Sequence, residues 1–373
     1  MNRIHSSKSL GVSLFVIISI FCVSCSKDTA TLLEEGKVAF YSKEYVKAKN
    51  AFLECANRGD SQGQFWLALL TNQVHGHYSD TDTLDMSIDD MYKYVFDLYK
   101  KSAGQNDGDG YYGLYSCYLL GRGVEENTQE AIKYLDKSVE LGSSWGYAVK
   151  GRALVTGDFG VTDVTKGMEY LKKSVKAENY LGISFLGELY VAGIAVKVDV
   201  DKGLELLEEG ANHGVTVAND ALAQLYRFGL DMVEQDRSLA FKYAKEGSYG
   251  NAISTFIVAE GYYYGDVVEQ NRDLGIKLAY RAAQSDYDNA KSFWAEICED
   301  GYGTKKEAFE YFMKAAELGH EYATAKVGEY LLKGTAGKTD YSLAKKYLMK
   351  AASEGSEDAQ KLLSTYSGIL EYY

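Results

Sequence analysis

The stretch "LGELYVAGIAVKVDVDKGLELLEEGANHG", Leu186 to Gly214, carries two helical patterns separated by a glycine. Counted back from Gly214, apolar or small residues stand at positions 3, 4, 7, 8 and 11, the stripe of an amphipathic helix. Gly193 lies between the two patterns, and glycine readily turns a chain that contains no proline. The stretch therefore predicts a helix, a glycine turn and a second helix.

This unit recurs along the chain. Glycines in the position of Gly193 follow one another at steps of 36 residues, with a last step of 33: Gly121, Gly157, Gly193, Gly229, Gly265, Gly301 and Gly334. Nine units close at residues 59, 106, 142, 178, 214, 250, 286, 319 and 355, and the second unit carries an 11-residue insertion. The segment after residue 355 has the pattern of one unpaired helix. A fixed period of this length is typical of repeat solenoids.

Small residues occupy one position in every unit. The residue three before the closing position is Ala, Val or Gly in all nine units. Helices of about 12 to 14 residues are marginal alone, so such units gain stability by stacking. We therefore predict an all-α fold over residues 35–373, a helical-repeat solenoid of stacked antiparallel helix pairs. It comprises about nine pairs and a C-terminal capping helix, with one concave and one convex face.

Residues 186–214 and 327–355, "VGEYLLKGTAGKTDYSLAKKYLMKAASEG", resemble Sel-one-like repeats, a tetratricopeptide-related family. The resemblance covers about residues 36 to 373, and the first unit, 36–59, looks more like an ordinary tetratricopeptide unit. Some secreted members have a cysteine pair in each unit, which this chain lacks. We expect a scaffold that binds another protein along its concave face.

The N-terminus resembles the signal of a bacterial lipoprotein. Residues 1–24 begin with a basic segment and continue with a largely apolar run of 14 residues, Leu10 to Val23, which is too short to span a bilayer. Ser24 precedes Cys25 as in a lipobox, although Cys22 replaces the usual leucine. We predict a signal peptide over 1–24, lipidation at Cys25 and a polar tether over 25–34. The protein is then lipid-anchored in the bacterial cell envelope, at the outer membrane, facing the periplasm or the exterior; a plain secretory signal is the alternative.

The bulk composition excludes several function classes. The net charge of −13, without a compensating basic cluster, disfavours nucleic acid as a partner. Cys55, Cys117 and Cys298 remain in the mature chain, and their odd number and wide spacing indicate neither disulfides nor a metal site. They are expected to be small buried apolar residues.

Two short motifs suggest chemistry but fit the repeat better. "LLGRGVEENTQEA", Leu119 to Ala131, has the Gly-x-Gly of a phosphate-binding loop. Its first glycine recurs six times at the repeat step, whereas Gly123 is replaced in most units, by Ala195, Asp231 and Val267 among others, so the stretch is interpreted as a turn. "SLAK", Ser342 to Lys345, matches the Ser-x-x-Lys of penicillin-recognising enzymes but lacks their other motifs. No catalytic residue or cofactor is predicted. An envelope enzyme acting on peptidoglycan or β-lactams stays an alternative.

Four residues are candidates for contact with a partner. His75 and His77 stand in the acidic insertion, which is interpreted as a solvated loop rather than a metal site. Tyr263 and Tyr264 follow Tyr262, which belongs to a packing column, and tyrosine suits recognition surfaces. A glycan-binding accessory protein is a further alternative. It would show tyrosines and tryptophans stacked in a groove, but the three tryptophans are scattered in the sequence.

Overall fold

The computed structural model describes residues 27–74, 87–229, 233–247 and 251–373. These residues form twenty α-helices, and a π-helical turn, Cys298–Tyr302, follows the fifteenth. In chain order they are α1 (Thr29–Tyr41), α2 (Tyr45–Asn57), α3 (Ser61–Val74), α4 (Ile88–Gly104), α5 (Gly108–Leu120), α6 (Thr128–Glu140), α7 (Ser144–Thr156), α8 (Val164–Lys176), α9 (Tyr180–Ala192), α10 (Val200–Asn212), α11 (Thr216–Phe228), α12 (Arg237–Glu246), α13 (Ala252–Tyr264), α14 (Arg272–Ala283), α15 (Asp288–Ile297), α16 (Lys305–Glu317), α17 (Glu321–Lys333), α18 (Tyr341–Ser353), α19 (Glu357–Thr365) and α20 (Ser367–Leu370).

The all-α solenoid is confirmed. Each unit has a first helix, which is odd-numbered up to α17, and a second, even-numbered helix that packs against it. The predicted turn glycines all have positive φ, for example 67° at Gly193 and 66° at Gly334. An L side chain rarely adopts this conformation, which explains why glycine recurs there.

An aspartate or asparagine starts most second helices. The side chains of Asp163, Asp199 and Asp340 each accept a hydrogen bond from a backbone N–H three residues later. In most units this cap stands six residues after the turn glycine. In the eighth unit Thr304 caps α16 only three residues after Gly301, and this accounts for the shortened repeat.

Adjacent units meet through pairs of small residues. In most units the residue four before the closing position faces the residue four after it, and most of these pairs combine serine with glycine or alanine with alanine; in the sixth unit Gly247 faces Ser254 instead. A Cβ atom on Gly146 would lie 3.0 Å from the Cβ atom of Ser138, which is fully buried. The closest packing is therefore at the position four before the closing residue, and not at the position three before it, which the sequence analysis singled out and where Val139 and Val175 are only half-buried.

The first helices line the inner face of the solenoid. First helices of neighbouring units contact one another along most of the described chain, whereas consecutive second helices have at most marginal contact. The chain therefore curves toward the first helices. The curvature is tight enough to bring the first two units against the fifth and sixth. Gln73 Nε2 donates to the Gly214 carbonyl oxygen at 2.6 Å, and Lys43 Nζ lies 2.9 Å from Glu246 Oε2.

The predicted tether is too long. Asp28 accepts a hydrogen bond from the Thr31 N–H and caps α1, so the first helix starts at Thr29 and not after residue 34. Leu33 packs against the buried core of the first units, which holds this early turn in place. The signal peptide and Cys25 lie outside the described residues. Within the described residues, no helix combines the length and apolar character needed to cross a bilayer.

Candidate functional site

A cavity of about 500 Å³ lies on the concave face where the first units meet the fifth and sixth. Side chains of α1, α3, α4, α5, α7, α9 and α11 line it, together with the turn after α10. The hydrogen bond from Gln73 to Gly214 joins two opposite sides of the cavity. The volume falls in the range of ligand pockets.

Two stacked pairs of rings form much of the cavity wall. Tyr112 and Trp145 stack with centroids 5.4 Å apart and an interplanar angle of 24°. Tyr180 and His213 stack at 3.6 Å and 7°, and the ring of Tyr41 meets both of them edge-on. Burial raises the pKa of the Tyr41 and Tyr112 phenols, so both stay neutral hydrogen-bonding groups.

Buried aromatic residues support this wall from behind. Phe65 and Trp66 contact Trp145 edge-on at 5.9 and 6.0 Å, and Trp66 stacks on Phe52. The solenoid thus brings together two tryptophans that are far apart in the sequence. Trp294 lies elsewhere, where its Nε1 donates to Glu307 at 3.2 Å.

Among the described residues that line the cavity, Arg122 is the one arginine, and no lysine, aspartate or glutamate joins it. Its guanidinium donates to Asn72 Oδ1 at 3.2 Å and lies over the ring of Tyr92, 5.3 Å from the centroid. No carboxylate of the described chain lies within ion-pair distance of it. The aromatic surroundings and this cation fit an organic ligand that carries negative charge.

Gly123 fixes the position of Arg122. It has φ 73°, and a Cβ atom there would lie 2.7 Å from the carbonyl carbon of Tyr92 and 3.0 Å from the Cα atom of Lys93. Only glycine lets this loop approach the backbone of α4 so closely. This Gly-x-Gly, which the sequence analysis interprets as a turn, therefore also positions a residue of the concave cavity. The second glycine, which most units replace, was the available sequence signal for Arg122.

The profile of the Sel1 repeat matches residues 110–143, 175–215, 216–250, 252–287, 290–320 and 321–356, more than half of the chain. The chain belongs to the Sel1 repeat family. Sel1 solenoids are typically scaffolds for protein–protein interaction. The unmatched stretch between 143 and 175 still forms a complete Sel1-type unit, α7 and α8, in which the backbones cross closely at Gly151 and Gly167.

Several solved structures resemble this Sel1 solenoid. One is c5321, a protective antigen present in uropathogenic Escherichia coli strains and displaying an SLR fold, with 22% identity over 93% of this chain and 82% of that chain, and a TM-score of 0.47. A Sel1 repeat protein from Oxalobacter formigenes has 21% identity over 91% and 94%, also with a TM-score of 0.47. Immunity protein Pa5087 from Pseudomonas aeruginosa has 18% identity over 60% and 81%, with a TM-score of 0.36. No curated protein has significant sequence similarity to this chain.

The structure corrects the expectation for Tyr263. Its side chain is 5% exposed in the core of the Sel1 solenoid, and its hydroxyl donates to Asp300 Oδ2 at 2.7 Å. Burial, followed by the hydrogen bond to Asp300, raises its pKa. Tyr264 is 48% exposed and stays a candidate contact. His75 and His77 lie outside the described residues.

An acidic group occupies the concave face farther along the Sel1 solenoid. Arg227 holds Glu260 through two hydrogen bonds of 2.8 and 2.9 Å. Glu299 accepts from the Tyr330 hydroxyl at 2.8 Å. Burial, then the nearby Glu260 and Glu299, raises the pKa of Glu296 to about 7. This carboxyl is therefore sensitive to pH near neutrality.

Groups that an enzyme would use are engaged structurally in the described chain. His213 Nδ1 bonds the Glu209 carbonyl oxygen, and His320 Nδ1 accepts from the Ala323 N–H as the cap of α17. Lys345 of the Ser-x-x-Lys motif donates to the Leu370 carbonyl oxygen at 2.9 Å. Burial raises the pKa of Cys117 to about 12. No histidine of the described residues bonds a serine, cysteine or carboxylate side chain.

Proposed function

We propose that this protein is a bacterial cell-envelope lipoprotein whose Sel1 solenoid is a docking scaffold for another protein. The observation that carries the proposal is the cavity on the concave face, with its stacked rings and Arg122. Such a pocket can hold an anchoring side chain of a partner, and a few anchors supply most of the free energy of binding. The net charge of −13 disfavours nucleic acid.

The anchor would be a lipid on Cys25. Because α1 starts at Thr29, the step from Cys25 to the first helix spans at most about 14 Å. A lipid there would hold the first units close to the membrane surface. We place the protein at the outer membrane, where it faces the periplasm or the exterior.

The protein is proposed to have no catalytic activity of its own. The described histidines and cysteines are fixed or buried as structural groups, and the cavity lining contains no carboxylate among the described residues. A glycan-binding accessory protein is a second candidate, because Tyr112 and Trp145 do stack in a concave site. An envelope enzyme is the other alternative.

Crosslinking in the native cells tests the scaffold. A protein partner should be recovered with the lipidated protein, and tight binding of a sugar or an antibiotic without a protein partner would refute the proposal. The anchor is tested separately by metabolic lipid labelling and membrane fractionation. Cys25→Ala should abolish labelling and release the protein, whereas the matched Cys22→Ala should retain both. Retained labelling in Cys25→Ala would overturn the lipid anchor.

A further inference from the structure

We propose that the concave cavity receives an aromatic side chain from a peptide segment of the partner, with an acidic residue of the same segment bound to Arg122. This inference rests on the proposed function and names the chemistry of the partner. It follows from the rings of the wall, from a guanidinium that has no carboxylate of the described residues within ion-pair distance, and from the amide side chains of the lining that are already engaged.

The rings and hydroxyls of the cavity fit an aromatic side chain. A volume of about 500 Å³ holds one large ring together with the adjoining backbone. Aromatic rings favour edge-on and offset contacts with other rings, and the wall offers both. The hydroxyls of Tyr41, Tyr112 and Tyr180 have no hydrogen-bond partner among the described residues. They can bond the amide groups of an inserted peptide.

Arg122 selects the acidic neighbour. A guanidinium has five N–H donors, and a single hydrogen bond of Arg122 to a described residue, Asn72, is present. In a site partly shielded from water, a carboxylate can form two parallel hydrogen bonds with the remaining donors. Because the chain as a whole is acidic, long-range attraction does not favour an acidic partner. The preference for an acidic residue must therefore come from Arg122.

The amide side chains of the cavity lining are already engaged, so the cavity suits a sugar less well than a peptide. Gln73 donates to the Gly214 carbonyl oxygen, Asn72 accepts from Arg122, and Asn251 Oδ1 accepts from two backbone N–H groups of α13. No carboxylate of the described residues lines the cavity. A buried sugar presents hydroxyls on every edge, and each hydroxyl left without a partner costs free energy. A peptide with one ring and one carboxylate requires fewer hydrogen-bond partners from the cavity.

The test uses the mature chain from residue 25 and a random peptide display library. Peptides that bind the immobilised protein are sequenced, and the strongest is labelled and titrated by fluorescence anisotropy. The variants are Arg122→Gln, which removes the cation, and Ser116→Trp, which fills the cavity from α5. Lys133→Gln removes an exposed cation on α6 and serves as the matched control. A second peptide carries the amide in place of its acidic residue.

We expect enriched peptides to share an aromatic residue with aspartate or glutamate close to it. Arg122→Gln should weaken binding by about tenfold or more, Ser116→Trp should abolish it, and Lys133→Gln should leave it unchanged. The peptide with the amide should bind the unaltered protein about as weakly as the original peptide binds Arg122→Gln. This comparison needs no protein variant, so it holds even if a variant is unstable. The inference is overturned if no such peptide is enriched, if Arg122→Gln binds normally, or if β-linked disaccharides displace the peptide. A partner captured equally by Arg122→Gln in cells would leave the scaffold function standing and refute only this inference.

Discussion

Replacing Gly110 by alanine tests the close approach of neighbouring units. Gly110 lies in the first turn of α5, where a Cβ atom would be 2.8 Å from the carbonyl carbon of Ser102 and closer still to the amide nitrogen of Ala103. These are backbone atoms of α4, so no side-chain rotation relieves the contact. The helices must separate, and overpacking of this kind costs roughly 1–3 kcal/mol.

The matched control is Gly104→Ala in the last turn of α4. A Cβ atom at Gly104 meets nothing within 4 Å. Alanine should there stabilise the chain by up to about 1 kcal/mol, because it is the better helix former. The two substitutions are chemically identical, so their free energies of unfolding should change in opposite directions. After the same helix-forming gain is subtracted, the net destabilisation by Gly110→Ala is expected to be at most about 2 kcal/mol.

Urea unfolding monitored by far-ultraviolet circular dichroism measures both variants. Repeat arrays can unfold in more than one step, so the slopes of the transitions must first agree with that of the parent chain. Hydrogen exchange at the amides of α4 and α5 gives a local measure of the same boundary. If Gly110→Ala is as stabilising as Gly104→Ala, the small residues at the unit boundaries do not set the helix spacing.

Three further predictions concern the site and the buried groups. Glu296 has its pKa raised to about 7 in the folded chain, so the folded state binds more protons than the unfolded state between about pH 4.5 and 7, and stability falls as pH rises through that window. Glu296→Gln should therefore stabilise the protein by about 1–3 kcal/mol at pH 8 and by little at pH 4, as measured by urea titrations; an equal effect at both pH values would contradict the assigned pKa. Gly123→Ala should destabilise the chain by about 1–3 kcal/mol and lower its affinity for the peptide selected from the library, because the Tyr92 carbonyl group leaves no room for a side chain there. An unchanged melting temperature and unchanged peptide affinity would refute this. Burial raises the pKa of Cys117 and Cys298 to about 12, so iodoacetamide at pH 8 should label neither until urea unfolds the chain, and mass spectrometry would expose labelling of the folded protein.

The repeat period predicts the local structure because each unit contains the same turn between two helices. The turn at Gly193 needs positive φ, and every unit that repeats this turn repeats the glycine. The concave face follows from the same argument. The early start of α1 is not contained in the repeat period, because it depends on a single N-terminal cap, Asp28.

The cavity could not be predicted from the period. The contact between Tyr41 and Tyr180 depends on small rotations accumulated over four units, and no single sequence column records them. The meeting of Trp66 with Trp145 has the same origin. Tyr263 and Tyr264 are neighbours in sequence but point about 100° apart around α13, and only packing shows which is buried.

Photo-crosslinking from a single position on each face tests the central claim most directly. Benzoylphenylalanine is placed at Leu120, a half-exposed residue of the cavity lining, and at Met349, an equally exposed residue on the second helix α18. After irradiation of cells that express the lipidated protein, the variant at Leu120 should form an adduct with one partner protein, and the variant at Met349 should not. Adducts only from Met349, equal adducts from both positions, or none from Leu120 would contradict recognition through the concave cavity.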